Sequence, residues 1–197
     1  MLVLGLTGSL AMGKTTVTAM FAGEGAATYS ADAAVHALYR GAAVAPIEAA
    51  FPGTTAGGAV DRARLAERVT GNPAALATLE RIVHPLVRQA EERFRAKAAG
   101  DGRRVIVLDI PLLFETGGEA RVDAVIVVSA PKEIQRKRIM TRAGMNADKA
   151  AALLARQMPD ADKRARAHFI VDTSGEMAAT QRQVRDVLRA LAGKIGT

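Results

Sequence analysis

A glycine-rich stretch near the N-terminus, residues 8–15, constrains the fold more than any other part of this chain. Its sequence, GSLAMGKT, fits the pattern G-x-x-x-x-G-K-[ST]. It follows a short apolar run that is typical of a buried strand, and it precedes Val17, Met20 and Phe21, which recur at helical spacing. A strand, a glycine loop and a helix form the context in which this motif binds phosphate. We therefore predict a phosphate-binding loop, called the P-loop below, and a nucleoside triphosphate site.

The residue types of the P-loop each have an expected role. Gly8 and Gly13 permit the backbone angles that turn several N–H groups inward on one anion. The helix that follows points the positive end of its dipole at the same anion. Lys14 is expected to reach the β- and γ-phosphates, and the Thr15 hydroxyl to ligate Mg²⁺. The predicted nucleotide-binding set of this region is completed by Ala11, Met12 and Thr16.

The composition excludes several other classes of protein. The chain has no cysteine, so disulfides, thiolate metal sites and cysteine nucleophiles are excluded. No apolar run approaches the roughly 20 residues that a membrane span needs. The apolar N-terminus has no basic leader and continues straight into the P-loop, unlike a signal peptide. We expect a cytoplasmic protein with no membrane partner.

The chain is basic, with a net charge of +7 and a pI near 10.2. Such a charge suggests a polyanionic partner, either nucleic acid or a phosphorylated small molecule. Only two Tyr and five Phe are present, with no Trp, and none is interleaved with the arginines. This pattern argues against a surface that stacks on bases. We therefore predict a phosphate-rich small-molecule substrate and no nucleic-acid partner.

Further apolar runs follow the P-loop at 26–30, 104–109, 122–129 and 169–171, with helical patterns between them. Strands that are apolar on both faces and separated by helices indicate a parallel sheet covered on both sides. A C-terminal helix follows, and its apolar face is expected to carry Val184, Val187, Leu188 and Leu191. The predicted fold class is α/β, a P-loop NTPase core with a parallel sheet covered by helices.

Residues 41–100 interrupt this alternation with mostly helical patterns. Asp61 is expected to cap one helix, and Pro73 to open a longer one. His84 and Pro85 are expected to break or kink the longer pattern. We interpret the block as an insertion that handles a second substrate.

Asp32 lies just past the second predicted strand, at the start of an alanine-rich helix that runs to about Arg40. An aspartate there can cap the helix. In an open α/β sheet, the same place lines the ligand crevice. Both roles can coexist, and the closeness of the P-loop favours the ligand role.

Residues 132–166, called the basic segment below, carry ten positive and four negative residues, a net charge of +6. The stretch Ala143-Gly144-Met145-Asn146 near the centre is expected to form a hinge between two helices. A basic flap over a P-loop can stabilise a transferring phosphoryl group and exclude water. We predict that the segment as a whole is a lid, although any single arginine in it is better explained by a solvated helical face.

A P-loop alone indicates nucleotide binding, not a reaction. A regulatory GTPase should carry the guanine motif N-K-x-D, which this sequence lacks. A motor or ATPase usually has an apolar strand that ends in Asp-Glu, whereas Asp109 is followed by Ile110 and Pro111. A small-molecule kinase needs a short chain, an acceptor-binding insertion, a base and an arginine-rich lid, and all four are present. A kinase for another acceptor, such as a nucleoside monophosphate, and a nucleotide-dependent RNA-binding protein remain as alternatives.

The chain resembles the dephospho-CoA kinases over nearly its whole length. The matching motifs occur in the order of that family, and those at 84–88 and 111–115 discriminate best. They are Gly5-Leu6-Thr7-Gly8, Ala31-Asp32, His84-Pro85-Leu86-Val87-Arg88, Pro111-Leu112-Leu113-Phe114-Glu115, Arg138 with Arg142, Gln157, and Ile170-Val171-Asp172 with Gly175.

The resemblance implies phosphorylation of the ribose 3′-hydroxyl of dephospho-CoA by ATP, with Mg²⁺, in the last step of coenzyme A synthesis. Asp32 is then the general base and positions the acceptor hydroxyl. Lys14, Arg138 and Arg142 are the catalytic cations, since guanidinium groups match phosphate oxygens. The adenine is expected at Asp172 and Gly175. Further acceptor contacts are predicted at His84, Leu113 and Glu115.

The resemblance also implies a domain organisation. We predict one domain, 1–197, as a monomer or weak homo-oligomer. Its core comprises about 1–32, 102–131 and 167–197, its helical acceptor insertion about 33–101, and its lid about 132–166.

The chain departs from the family pattern at several places. Ser30 stands where the family usually has Asp, His36 where it often has Arg, and Thr173 near a usual Asn. Ala11 and Met12 replace the usual Gly-Ser inside the P-loop. Gly8, Gly13, Lys14 and Thr15, which the mechanism requires, are unchanged.

Overall fold

A parallel sheet of five strands lies in the larger of two compact units. The computed structural model describes residues 1–142 and 144–195. The larger unit consists of Met1–Tyr29 and Ala98–Thr197, and the second of Ser30–Lys97. Each unit has a buried apolar cluster of its own.

The helices and strands of the described residues follow the alternation that the sequence predicts. The strands are β1 (Leu2–Thr7), β2 (Ala27–Ser30), β3 (Thr55–Ala56), β4 (Ala59–Val60), β5 (Val105–Asp109), β6 (Ala124–Ser129) and β7 (Phe169–Asp172). The α-helices are α1 (Lys14–Gly23), α2 (Ala31–Leu38), α3 (Val44–Ala50), α4 (Arg62–Val69), α5 (Pro73–Gly100), α6 (Lys132–Met140), α7 (Ala147–Ala155), α8 (Asp160–Ala165) and α9 (Met177–Ile195). A short 3-10 helix covers Gly118–Arg121.

The strands of the central sheet lie in the order β2-β5-β1-β6-β7. Strand β1 runs parallel to β5 and β6, and β6 runs parallel to β7. All six residues of β1 and all six of β6 are buried, as expected for strands covered on both faces. The predicted parallel sheet is confirmed.

The main core lies between the sheet and the helices that follow the P-loop and end the chain. Leu4, Leu6, Val17 and Val184 are fully buried there. Burying a side chain of this size stabilises the fold by about 1.5–3 kcal/mol. Because β1 and α1 are both anchored in this core, the P-loop between them is held firmly at each end.

The second unit contains a small hairpin within residues 41–100, where the sequence indicated mostly helical patterns. Strands β3 and β4 pair antiparallel through only two residues each. Gly57 and Gly58 connect them with φ values of 57° and 78°. Two successive residues with positive φ are what a tight hairpin turn requires, and glycine adopts them most readily. The Asp61 cap on α4 is present as predicted, since its Oδ1 accepts the N–H groups of Ala63 and Arg64.

Of the predicted break or kink at Pro85, the break does not occur, because α5 continues from Pro73 to Gly100 with Pro85 inside it. Proline removes one helical hydrogen bond. The residues on both sides of it, Val83 and Leu86, pack against the apolar cluster of the second unit, which holds the two halves of the helix on one face.

The basic segment forms three helices, α6, α7 and α8, and residues 144–146 of the predicted hinge lie between α6 and α7. Asn146 caps α7 by accepting a hydrogen bond from the Lys149 N–H. Ala143, the first residue of the predicted hinge, lies outside the described residues. The segment is therefore divided at Asn146 and again before α8.

Candidate functional site

The two glycines of the P-loop are required for different reasons. Gly13 caps α1 in the left-handed region, at φ 93°, which residues with a Cβ adopt at a cost. Gly8 lies so close to β6 that an added Cβ would stand 2.5 Å from the Val128 carbonyl oxygen. Gly8 thus allows the two backbones to pack closely, and Gly13 turns the chain into the helix.

A cavity of about 260 Å³ adjoins the P-loop and brings four segments together. Its lining includes Ala11, Gly13 and Thr16 from the P-loop and α1, and both Arg138 and Arg142 from the basic segment. The loop after β7 and helix α9 complete it, with Thr173, Gly175, Met177 and Thr180. Six residues of the predicted nucleotide and catalytic sets therefore line one cavity.

A wider groove of about 860 Å³ runs between α1 and α9 and continues from this cavity. Thr16 and Met177 line both spaces, whereas Thr15 lines the groove but not the cavity. Gly8 and Lys14 line neither space, and the Met12 side chain is almost fully buried in the main core. The contribution of Met12 to the site is its backbone.

Thr173 links three parts of the site through its hydroxyl group. The hydroxyl donates to the Met12 carbonyl oxygen at 2.8 Å and accepts a hydrogen bond from the Arg138 guanidinium at 2.9 Å. Arg138 also donates to the Thr173 carbonyl oxygen at 2.6 Å. Arg138 is thereby tied to the loop after β7, whereas Arg142 presents an exposed side chain to the cavity.

Asp172 shapes the loop where the sequence predicts adenine. Its Oδ1 accepts the Ser174 N–H at 2.6 Å, and its carbonyl oxygen accepts from the side chains of Thr180 and Gln183. The Asp172 carboxylate therefore accepts a hydrogen bond within the loop itself. The groups that the loop offers to a nucleobase are the backbone groups near Gly175.

Asp109 ends β5 beside β1, in register with Leu6, and is buried. The Thr18 hydroxyl lies 3.2 Å from Asp109 Oδ2 and 3.0 Å from the Lys14 carbonyl oxygen, so it connects α1 to this carboxylate. Among the described residues, no group of three or more His, Asp or Glu side chains forms a metal-binding cluster. A hydroxyl such as that of Thr15 and a carboxylate such as that of Asp109 are groups of the kind that fit Mg²⁺, which usually takes few protein ligands and shares substrate phosphates.

Glu115, predicted to contact the acceptor, is joined to Lys163 in an ion pair of 2.9 Å. The Lys163 side chain is completely buried, and Glu115 also accepts the Met158 N–H at 2.7 Å. Burial by itself raises the pKa of the Glu115 carboxyl, but the hydrogen bonds from Lys163 and Met158 outweigh it and hold the pKa below its usual value. In this structure Glu115 connects the Pro111–Glu115 motif to α8.

Leu113 was likewise predicted to contact the acceptor, but its side chain is fully buried. It packs with Phe114, Val125 and Val127 in a separate apolar cluster. An added Cβ on Gly5 would stand 2.9 Å from it, so the packing on β1 is tight. The motif residue Leu113 therefore serves the core, and its side chain offers no surface to a ligand.

In the second unit, Asp32 and His84 are both exposed. Asp32 lies in the first turn of α2, and the cap of that helix is Ser30, whose hydroxyl accepts the Ala33 N–H. The cap alternative for Asp32 is therefore wrong, and its carboxylate is not used in that way. One turn further along α2, His36 contacts Arg62, a neighbour that sequence reasoning missed.

Other residues of the site also escaped sequence reasoning. Two of them lie in the basic segment, which the sequence analysis described mainly by its charge. They are Lys163, the partner of Glu115, and Gln135, which donates a hydrogen bond to the Leu10 carbonyl oxygen. Neither stands at a recognisable spacing from its partner. Thr173 was visible only as a departure from the family pattern.

Comparison with known proteins agrees with this geometry. The family model described as dephospho-CoA kinase matches residues 2–179. The dephospho-CoA kinase of Brucella melitensis is 53% identical over 98% of this chain and 97% of its own length. That of Rhodopseudomonas palustris (strain ATCC BAA-98 / CGA009) is 55% identical over 98% of this chain and 96% of its own.

Solved structures are also similar to this chain over nearly its whole length. A crystal structure from Thermus thermophilus has a TM-score of 0.85 at 33% identity and covers 96% of this chain and 97% of its own. The dephospho-CoA kinase from Campylobacter jejuni has a TM-score of 0.73 at 27% identity, with 98% of each chain covered. Across the described part of the chain, none of the helices has the length and apolarity to cross a membrane. The alternative acceptors and the RNA-binding alternative are not favoured, and this chain belongs to the dephospho-CoA kinase family.

Proposed function

We propose that this chain transfers the γ-phosphoryl group of ATP to the ribose 3′-hydroxyl of dephospho-CoA and gives coenzyme A and ADP. This is the last step of coenzyme A synthesis. The observation that carries the proposal is the cavity at which the P-loop, two arginines and the loop after β7 meet, in a chain of this family.

The proposed reaction is an in-line displacement at the γ-phosphorus. The 3′-oxygen of the acceptor forms a bond to that phosphorus, and the bond to the oxygen bridging the β- and γ-phosphates breaks. ADP leaves with the electron pair, and the hydroxyl proton passes to the Asp32 carboxylate. The exposed position of Asp32 in the first turn of α2 supports this role. Positioning of the hydroxyl matters more than base strength in such a reaction.

Lys14, Arg138 and Arg142 are proposed to divide the work of charge stabilisation. Lys14 begins α1, where the helix dipole adds to its charge. Arg138 is held by Thr173 and so is best placed to keep the 172–175 loop, where the adenine is proposed to bind, against the P-loop. Arg142 has an exposed side chain at the cavity, which suits a contact with the transferring phosphoryl group.

Mg²⁺ is proposed as the metal, with the Thr15 hydroxyl as ligand and Asp109 nearby to accept hydrogen bonds from its water ligands. When bound, the ion neutralises charge on the β- and γ-phosphates. The adenine is proposed to lie at the backbone of the 172–175 loop. Among the acceptor contacts, His84 and Glu115 are retained as proposals, whereas the side chain of Leu113 is fully buried and is no longer included.

The predictions of a cytoplasmic location, of a monomer or weak homo-oligomer, and of no nucleic-acid partner stay predictions. Analytical ultracentrifugation tests the oligomeric state. A filter-binding titration with RNA at low salt tests the absence of a nucleic-acid partner, because electrostatic binding is strongest there.

An acceptor panel tests the proposed reaction. ADP release is followed with ATP, Mg²⁺ and either dephospho-CoA, AMP, CMP, shikimate or gluconate, and a Lys14→Ala variant serves as the inactive control. We expect release with dephospho-CoA alone, and none when Mg²⁺ is chelated. Turnover with a different acceptor would leave the nucleotide site standing and contradict the proposed substrate.

A further inference from the structure

Ala11, within the P-loop, has a backbone conformation that its side chain does not favour. Its φ is +62°, and among the described residues it is the non-glycine residue with positive φ. In this left-handed region the Cβ of an L-residue comes too close to the following carbonyl oxygen. Strain of this kind persists where the surrounding structure holds the residue in place.

The surroundings of Ala11 come largely from the basic segment. Ala11 is buried against Ile139 of α6 and Ala150 of α7. The side chains of Leu10, Met145 and Leu154 pack around the same cluster. An apolar contact thus covers the strained residue from one side.

The backbone of Leu10, just before the strained residue, is held on both of its polar groups. Its N–H donates to Gln157 Oε1 at 3.0 Å, and its carbonyl oxygen accepts from Gln135 Nε2 at 2.8 Å. Gln135 is buried, so water cannot readily replace its hydrogen bond. Two glutamines of the basic segment therefore clamp one residue of the P-loop.

We propose that Gln135 and Gln157 are positioning residues that hold Leu10 and Ala11 in the left-handed turn and so preorganise the P-loop for the phosphates of ATP. The N–H groups of the loop converge on an anion only when the loop keeps its turn. The basic segment then acts on ATP binding through the backbone of the loop as well as through its charges. This inference rests on the nucleotide site of the proposed function.

The identity of residue 11 makes the clamp necessary in this chain. Glycine adopts positive φ without steric cost, whereas the Cβ of alanine opposes it. An alanine needs outside support to keep the same turn. The dependence on the two glutamines should therefore disappear when Ala11 is replaced by glycine.

A double-mutant cycle tests this dependence. Gln135→Leu, Gln157→Leu and the two together are made with and without Ala11→Gly, and the Kd for ATP with Mg²⁺ is measured by titration calorimetry. We expect loss of both glutamines to raise the Kd by about tenfold or more with Ala11 present, and by about threefold or less with Ala11→Gly. Gln89→Leu, an exposed residue of α5, is the matched control and should leave the Kd unchanged.

Equal losses of affinity in both backgrounds would overturn the proposal, because the glutamines would then act independently of the strain at Ala11. If the double variant does not fold, as judged by circular dichroism, Gln157→Leu alone completes the cycle with the same expectation. A Gln157→Glu variant keeps the acceptor for the Leu10 N–H, and it should retain more affinity than Gln135→Glu, which loses the donor. Since calorimetry needs only ATP, failure here is distinguishable from failure to turn over dephospho-CoA.

Discussion

The nucleotide side and the acceptor side of this chain present their functional groups in different ways. The nucleotide side, at residues 8–16 and 172–175, depends on backbone geometry that glycines, a strained alanine and hydrogen-bonded loops maintain. The acceptor side, in the unit Ser30–Lys97, presents exposed side chains such as Asp32 and His84 on helices. Changes on the first side should therefore affect nucleotide affinity and folding, and changes on the second should affect turnover.

The largest effect is expected from Asp32→Asn. The amide cannot take the acceptor proton, so kcat should fall by about 10²–10⁴-fold. The Kd for ATP should change by less than about twofold, because the change leaves the P-loop intact. Steady-state kinetics and calorimetry measure the two quantities. Glu67→Gln, on an exposed face of α4, is the matched control, and a comparable loss of ATP affinity in Asp32→Asn would break the division between the two sides.

Lys163→Met should have the next largest effect, on stability. It leaves the partly buried Glu115 carboxylate without its ammonium partner, which should cost up to about 3 kcal/mol of the free energy of unfolding, less than for a fully buried pair. Urea denaturation measures the loss, and Lys137→Met on exposed α6 should cost less than about 0.5 kcal/mol. A stable Lys163→Met variant with a raised KM for dephospho-CoA would contradict the structural role and favour the acceptor contact of Glu115.

Gly8→Ala sharpens the backbone argument. The added methyl group would meet the Val128 carbonyl oxygen at 2.5 Å, so β1 and β6 must separate. We expect a loss of about 1–3 kcal/mol in stability and a weaker ATP affinity. Gly23→Ala, where nothing lies within 4 Å of an added Cβ, should change neither. Similar melting temperatures for Gly8→Ala and the wild type would contradict the close approach of the two strands.

The smallest effect is a pH dependence from Glu115. Its pKa is lower in the folded chain than in the unfolded chain, where it is near 4.3. Its contribution to stability is therefore present above that unfolded value and is lost as the pH falls towards the folded one. The free energy of unfolding, measured by urea titration between about pH 3 and 7, should fall less steeply on acidification in Glu115→Gln than in the wild type. Identical slopes would show that the Lys163 pair does not titrate with folding.

Sequence patterns predicted the parts of this fold that depend on local physics. The apolar runs gave the sheet because strands buried on both faces need uniformly apolar residues, and the glycines of the P-loop marked its turn. The hairpin at Thr55–Val60 was missed because two-residue strands carry no periodicity. Helix α5 was expected to break or kink at Pro85, and its continuation could not be predicted because the packing that carries it past the proline is tertiary.

The sequence motifs predicted which residues belong to the site better than they predicted the contacts that those residues make. The residues Arg138, Arg142 and Gly175 line one cavity with the P-loop, as their motif positions suggested. Glu115 and Leu113 were assigned to the acceptor because a motif gives no information on burial. Their partners, Lys163 and the cluster around Val125, lie far away in sequence, so no spacing could identify them.

The most direct test of the account identifies the product formed from dephospho-CoA. The protein is incubated with ATP, Mg²⁺ and dephospho-CoA, and the product is examined by mass spectrometry and phosphorus NMR. We expect a product with one added phosphate, as a phosphomonoester coupled to the ribose 3′ position. With Asp32→Asn we expect this product to be lost. A phosphate at another position, or ADP formed without any phosphorylated acceptor, would contradict the account.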